Sequence, residues 1–450
     1  MDPAAKPPTK KSDFAVTNRG VFAIAAPMTL AFVSTPLVGL ADTWAVGQLG
    51  DAALVGAIAV GGIIFDVLFT TMNFLRSGTT GLVAQAYGAG QPDRQLAVLL
   101  RALLLALVIG MVALLVQAPF FDLALAFLGG SARVQEAVGI YFSVRILAAP
   151  ISLSNFVVLG FFLGRGEALT GLAIQTVLNL TNVILNVYFV LVLDLGVAGV
   201  AAASILAEAV ALLLGIVLLA RRLRRWAWPS PAVVFDRAEL WRMFAVNRDI
   251  MIRSFALLFA FATFTRLSAQ QGETTLAANA ILEKYFLLAS YFLDGLATAA
   301  EQIVGRAIGA GVRQQFVRAV KLCALWSGIL AACATVLFLL AGDLVLTTMT
   351  TAQDVRELGS HYLVFAALTP VIGAAAVVLD GVFIGATWSR DMRNMMLVSL
   401  AVFLGLAYVL TPLAGNTGLW ISLLAFLGMR GVTLGAILPR RLNATLPGPA

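Results

Sequence analysis

One long apolar run, "AAPMTLAFVSTPLVGLADTWAVGQLG" (residues 25–50), carries a carboxylate, Asp42, near its end. A second run, "QTVLNLTNVILNVYFV", holds Asn182 and Asn186 four residues apart, on one helical face. Ser204 follows in the next run. Brought together, a carboxylate, two amides and a hydroxyl suit a proton site, or a weak Na⁺ site of oxygen ligands. The competing account is helix–helix glue, since Asn and Ser hydrogen-bond across membrane helices. Spacing leaves both open. Pro27 and Pro36 precede Asp42, and each frees a backbone carbonyl and kinks a helix; a static kink and a hinge are both compatible with that.

Other ionisable residues interrupt apolar runs: Asp66, Arg76, Arg145, Glu208, Arg253, Glu283, Asp294, Glu301 and Asp380. Each costs roughly 2.5–3.5 kcal/mol at mid-helix on insertion scales. An internal ion pair or a snorkelling end residue accounts for any one of them, best for Asp66, Glu208 and Lys284. Taken together they indicate that something polar crosses the bilayer or titrates within it.

The elements that position these groups follow from composition. The 450 residues are 60% hydrophobic and 12% charged, about half the charge of a soluble domain. Apolar stretches near the ~20 residues of a spanning helix recur along the chain. Twelve can be drawn: 20–46, 53–75, 96–118, 138–163, 168–193, 197–220, 250–268, 276–304, 319–341, 360–386, 395–413 and 416–438. The net charge of +7 reflects basic loops, so nucleic acid is not an expected partner. Cys323 and Cys333 share one run, ~15 Å apart along a helix, and cannot pair with each other. No metal motif and no hydrolase elbow occurs, and the sole histidine, His361, falls at a helix end.

Of the 30 basic residues, 22 fall in one set of loops, which includes Lys6, Lys10, Lys11 and Arg19, the 221–249 linker, and Arg440 and Arg441. The positive-inside rule then puts both termini in the cytoplasm and Asp42 in the outer half of the membrane. The linker's Trp226 and Trp228 suggest an interfacial stretch joining two halves.

Those halves repeat. "QLGDAALVGAIAVGGIIFDVLFTTMNFLRSGTTGLVAQAYGAG" (48–90) answers "QQGETTLAANAILEKYFLLASYFLDGLATAAEQIVGRAIGAG" (270–311), with Gly50 and Gly272 222 positions apart. Pro150 with 161–164 answers Pro370 with 383–385, and "GVAG" (196–199) answers "GNTG" (415–418). Six spans return the chain to the same side, so the copies run parallel, as in transporters with substrate between the halves.

On these residues the chain resembles the MATE (multidrug and toxic compound extrusion) family, and its DinF-like branch in particular. The stretches that carry the likeness are 25–50, "AANAILEKYFLLASYFLDGLATAAEQIVGRAIGAG" (277–311), "VVLDGVFIGATWSRDMRNMML" (377–397) and "NRDIMIRSF" (247–255). The resemblance implies an all-α polytopic membrane protein, with twelve transmembrane helices in two parallel-oriented six-helix lobes forming a V-shaped central cleft. The expected organisation is a tail to residue 19, an N-lobe over 20–220, a linker over 221–249, a C-lobe over 250–438, and a tail from 439.

The implied activity is antiport: export of amphipathic, often cationic compounds against inward H⁺ or Na⁺. A flippase or exporter of a lipid-linked metabolite is the alternative. The family's cation-coupling positions fall on Asp42, Asn182 and Ser204. Many relatives have a second aspartate where this chain has Asn186, so a Na⁺ site here would lose formal charge and H⁺ is favoured. The helix-10 carboxylate of some relatives falls on Asp380. Their helix-7 carboxylate has no equivalent, and Arg253 stands nearby, so Arg253, Asp294, Glu301 and Asp380 are expected to form a C-lobe polar network. The family's moving first helix makes Pro27 and Pro36 its expected hinge. The remaining expectations are a monomer in the inner membrane, with lipids and small amphipaths as partners and neither cofactor nor bound metal.

Overall fold

Every backbone N–H and C=O inside a bilayer must find a partner within the protein, which restricts spanning structures to helices and closed barrels. The computed structural model describes residues 14–129 and 131–447, and no strand occurs among them. Lys6, Lys10 and Lys11, and the last three residues of the expected C-terminal tail, lie outside the described residues.

Among the described residues, eleven helices are long and apolar enough to cross a membrane. They are α1 (Asn18–Gly47), α2 (Ala52–Gly88), α3 (Pro92–Leu115), α4 (Ala132–Gly164), α5 (Ala168–Val192), α6 (Gly196–Leu223), α7 (Arg237–Ala269), α8 (Glu273–Ala310), α9 (Arg313–Met349), α10 (Gln353–Gly385) and α11 (Ser389–Thr445). The last has 57 residues, about 85 Å at the helical rise, far more than one hydrocarbon core. It is broken at Gly415, whose φ of 56° and ψ of −137° are not helical. With that break, α11 supplies two crossings, and the twelve expected segments are accounted for. Gly196, the repeat partner of Gly415, opens α6 with a φ of 53°. Both positions need the left-handed region that glycine enters without a Cβ clash.

The described residues divide into two compact units. One comprises the residues up to Thr29, Ala84–Gly90 and those from Ala245 onward; the other comprises Leu30–Val83 and Gln91–Phe244. Thus α1 and α2 each contribute to both. In the first unit Phe264 meets Trp420 edge-on at 5.1 Å, and in the second Phe65 meets Tyr141 edge-on at 5.8 Å. The linker is anchored to α3 by Arg101, which is 3% exposed and donates to the carbonyls of Val233 and Val234.

Lipid tails are as apolar as leucine, so helices in a bilayer associate largely by close packing, which small residues permit. Both repeats show this at matching places. A Cβ on Gly160 or Gly164 of α4 would lie 2.5 Å from the Arg76 carbonyl oxygen or 2.7 Å from that of Thr80 in α2. A Cβ on Gly381 or Gly385 of α10 would lie 2.2 Å from the carbonyl oxygen of Ala297 or 2.1 Å from that of Glu301 in α8. A third approach is reciprocal. Gly88 faces the Arg306 carbonyl, and its repeat partner Gly309 faces that of Gln85, at 2.1 and 1.9 Å from a would-be Cβ.

Because the obstructing atoms are backbone, Gly381→Val is expected to destabilise the protein by at least the ~1–3 kcal/mol of overpacking. Thermal unfolding in detergent checks this. Gly373→Ala on the same helix, with nothing within 4 Å of the added carbon, serves as the control that should unfold near the parent temperature.

Candidate cation-coupling site

The polar ladder of α5 begins below the residues singled out from sequence. Gln175, Asn179, Asn182 and Asn186 recur at helical spacing, and each hydrogen-bonds. Gln175 donates to Asn179 at 3.0 Å, and Asn179 donates to the Ser34 hydroxyl of α1 at 2.7 Å. Farther along, Asn182 donates to Ser204 of α6 at 2.9 Å, and Asn186 donates to the Asn182 carbonyl oxygen at 3.0 Å. Asn186 also donates from Nδ2 to the Asp42 carboxylate. The four candidate residues therefore form one chain across α1, α5 and α6, running carboxylate, amide, amide, hydroxyl. Gln175, Asn179 and Ser34 form a separate set one turn away on the same helix; the spacing within "QTVLNLTNVILN" was the available signal for the first two.

Asn182 and Ser204 are 2% and 4% exposed and Asn186 is 0% exposed, whereas Asp42 is half-buried. Directly after Asn186, α5 widens into a π-helical turn over Val187–Val192, a distortion common at functional positions in helices. Both Nδ2 hydrogens of Asn186 are engaged, but its Oδ1 is buried with no hydrogen-bond partner among the described residues. A buried acceptor without a donor carries the full desolvation cost of that group. The contrast with a second amide cluster is informative. In the other unit, Asn279 donates to Ser268 and Asn416, and its Oδ1 accepts from Asn416 and Trp420, all between 2.7 and 3.0 Å. That cluster is closed; the one at Asp42 has an acceptor to spare.

Asn182 Oδ1, Ser204 Oγ and one Asp42 oxygen each already accept a hydrogen bond, whereas Asn186 Oδ1 accepts none. No cluster of three or more His, Cys, Asp or Glu suited to a metal occurs among the described residues. Pro27 and Pro36 sit within α1, which is helical throughout. Pro27 is buried, and the boundary between the two units falls two residues after it, between Thr29 and Leu30.

In the other unit, Arg253 of α7 and Asp380 of α10 meet as expected. Arg430, on the second arm of α11, joins them and donates to the same carboxylate oxygen at 2.6 Å. Asp294 acts electrostatically on Arg430, while Glu301, 3% exposed, sets its backbone against Gly385. Sequence reasoning missed Arg430. Its signal, an arginine inside "ISLLAFLGMRGVTLGAIL", was present but lay outside the motifs. The "NRD" and "SRDMR" stretches also meet, Arg393 donating to Asp249 at 2.7 Å. Two guanidiniums on one buried carboxylate make a structural anchor, because removing the acid strands both. Asp380→Ala is expected to cost about 3–5 kcal/mol, read as a lowered unfolding temperature; an unchanged temperature would show that the triad contributes nothing net.

The MatE family profile matches residues 27–188 and 250–411, once in each repeat. DNA damage-inducible protein F of Escherichia coli is 37% identical over 430 residues, covering 94% of this chain and 92% of that one. Human multidrug and toxin extrusion protein 1 is 24% identical over 422 residues, covering 92% of this chain and 73% of that one. Among solved structures, a MOP-superfamily transporter from Pyrococcus furiosus has the same fold, with a TM-score of 0.88 at 18% identity over 95% of this chain and 96% of that one. Two matches to one profile, in the two halves of a twelve-crossing helical chain, identify it as a membrane transporter of the MATE family, similar to its DinF branch, and not an enzyme.

Proposed function

We propose that this protein is an H⁺-coupled antiporter that exports amphipathic, often cationic compounds across the inner membrane, as a monomer with both termini in the cytoplasm, and that Asp42 carries the proton. The single observation behind the choice of ion is the unpartnered Oδ1 of Asn186 beside Asp42. A carboxylic acid and a primary amide can close a ring of two hydrogen bonds. The amide N–H already donates to one carboxylate oxygen. A proton on the other lets Asp42 donate to the spare amide oxygen. The amide thus gains its missing bond only when the acid is neutral.

Sodium would use the same oxygens less well. Hard cations take about six or more oxygen ligands, preferably anionic, and this chain of four residues offers one carboxylate among neutral oxygens. The position where many relatives carry a second aspartate is here a neutral amide, which favours the smallest cation.

In the working cycle, Asp42 takes a proton from the outer side. Neutralisation closes the acid–amide pair, α1 bends near Pro27 and repacks, and cargo is expelled. Opening inward, the site releases the proton and accepts a new organic cation. Pro27 suits a hinge because its missing N–H leaves the Ala23 carbonyl without its helical bond.

In proteoliposomes loaded with a fluorescent cationic dye, a pH gradient alone should drive dye movement and a Na⁺ gradient alone should not. Asp42→Asn should abolish the pH-driven flux with folding intact. Full activity in that variant, or flux driven by Na⁺ alone, would refute the reading.

A further inference from the structure

A second buried charge pair lies beside the candidate site. Arg145 of α4 donates from Nη2 to Glu208 of α6 at 2.6 Å, and their side chains are 11% and 9% exposed. Glu208 also accepts from the Ser152 hydroxyl, and its backbone carbonyl accepts from Asn155 at 2.9 Å. The Arg145 guanidinium lies over the rings of Phe65 and Phe69, at 5.5 and 5.1 Å. Its remaining terminal nitrogen, Nη1, is buried with no hydrogen-bond partner among the described residues. Arg145 is also within electrostatic range of Asp42. The guanidinium is thus paired with Glu208, with the Tyr141 hydroxyl beside it and Nη1 in reach of the field of the other acid.

The charge balance of this region follows from the groups that face it. From α1 comes Asp42; from α4, Tyr141, Arg145, Ser152 and Asn155; from α5, the neutral Asn182 and Asn186; from α6, Ser204 and Glu208. From α2 come the rings of Phe65 and Phe69; Asp66 beside them, whose charge reaches Tyr141, is exposed. Leaving out the exposed Asp66, the set therefore holds two carboxylates and one guanidinium. With both acids ionised it is short of one positive charge.

We propose that Arg145 is a counter-ion shared between Glu208 and Asp42, and that Glu208, by holding it, leaves the site one positive charge short: a deficit met either by one proton on Asp42 or by one monovalent organic cation as cargo. This rests on the reading that Asp42 is the coupling carboxyl, and extends it to the charge of the cargo. With Asp42 protonated, Arg145 and Glu208 are neutral as a pair, and a cation has no charge to answer. Once the proton leaves, Nη1 turns toward the Asp42 carboxylate, and the pair of acids together draws a cation in. Proton and cargo exclude each other by charge without needing the same atoms. Arg145 and Glu208 are positioning residues in this scheme, acting on cargo through Asp42.

The experiment reads the pH profile of transport of a monovalent dye cation by purified protein in proteoliposomes, with thermal unfolding measured alongside. In Glu208→Gln, which keeps an acceptor for Arg145 and Ser152, the guanidinium alone balances Asp42. The midpoint should move at least one pH unit toward acid, a tenfold change in protonated fraction above it. In Arg145→Gln the midpoint should move at least one unit toward alkaline pH. The double variant restores the original charge count and should return to the parent midpoint. Opposite shifts with return support the proposal. Rate loss with unmoved midpoints, or shifts of the same sign, overturns it and leaves the pair as packing; if one single variant does not fold, the sign of the other still decides. Asp42→Asn separates the two readings. If that variant keeps full pH-driven flux, the coupling reading fails; if it is inactive while the Glu208→Gln midpoint stays put, only the shared counter-ion fails.

Discussion

A hydrocarbon layer about 30 Å thick offers no hydrogen bond to any group the chain leaves unpaired, and the architecture follows from that constraint. It makes every described crossing a helix. It also accounts for the contrast between the two amide clusters. Asn279 has its carbonyl and amide fully engaged by Ser268, Asn416 and Trp420, so nothing is gained there by movement or by a guest. Asn186 has its donors engaged and its acceptor empty, in a medium where an empty acceptor is costly. A closed network rigidifies; an open one waits for a donor.

The same constraint explains how the helices are held. With no hydrophobic gain from packing helix on helix in lipid, close contact must come from shape. The paired glycines of α4 and α10 supply it at equivalent places in the two repeats, as do Gly88 and Gly309 against each other's helices. Duplicated sequence here means duplicated contact, and the backbone scaffold is shared while the chemistry carried on it diverges. One unit holds a half-buried carboxylate beside an open amide. The other holds Asp380 clasped by two arginines, whose side chains already answer the acid's charge.

Much of this was legible in the residues. The apolar runs set the number of crossings, because crossing length is a one-dimensional property of the chain. The repeat was legible through its glycines, since left-handed backbone and close approach leave little choice of residue. Even the grouping of Asp42 with Asn182, Asn186 and Ser204 was legible: the two asparagines must share a helical face, and the family likeness supplied the neighbouring helices. Arg430 was not legible as a partner of Asp380, because 50 residues separate them and no spacing rule joins different helices. Nor was Arg145 legible as a partner of Glu208, although an internal ion pair was one of the two accounts open for Glu208.

What the sequence by itself determined is what composition and period encode: a helical membrane chain, duplicated, with its family and its intramembrane acids. The tertiary structure decided which charge answers which, and which amide oxygen is left over. The physical reason is that helical period states which residues of one helix share a face, while partnership depends on which faces meet. That is settled by glycine-backed contacts between segments up to a few hundred residues apart, and in a medium without water those contacts decide whether a buried polar atom is satisfied or left open.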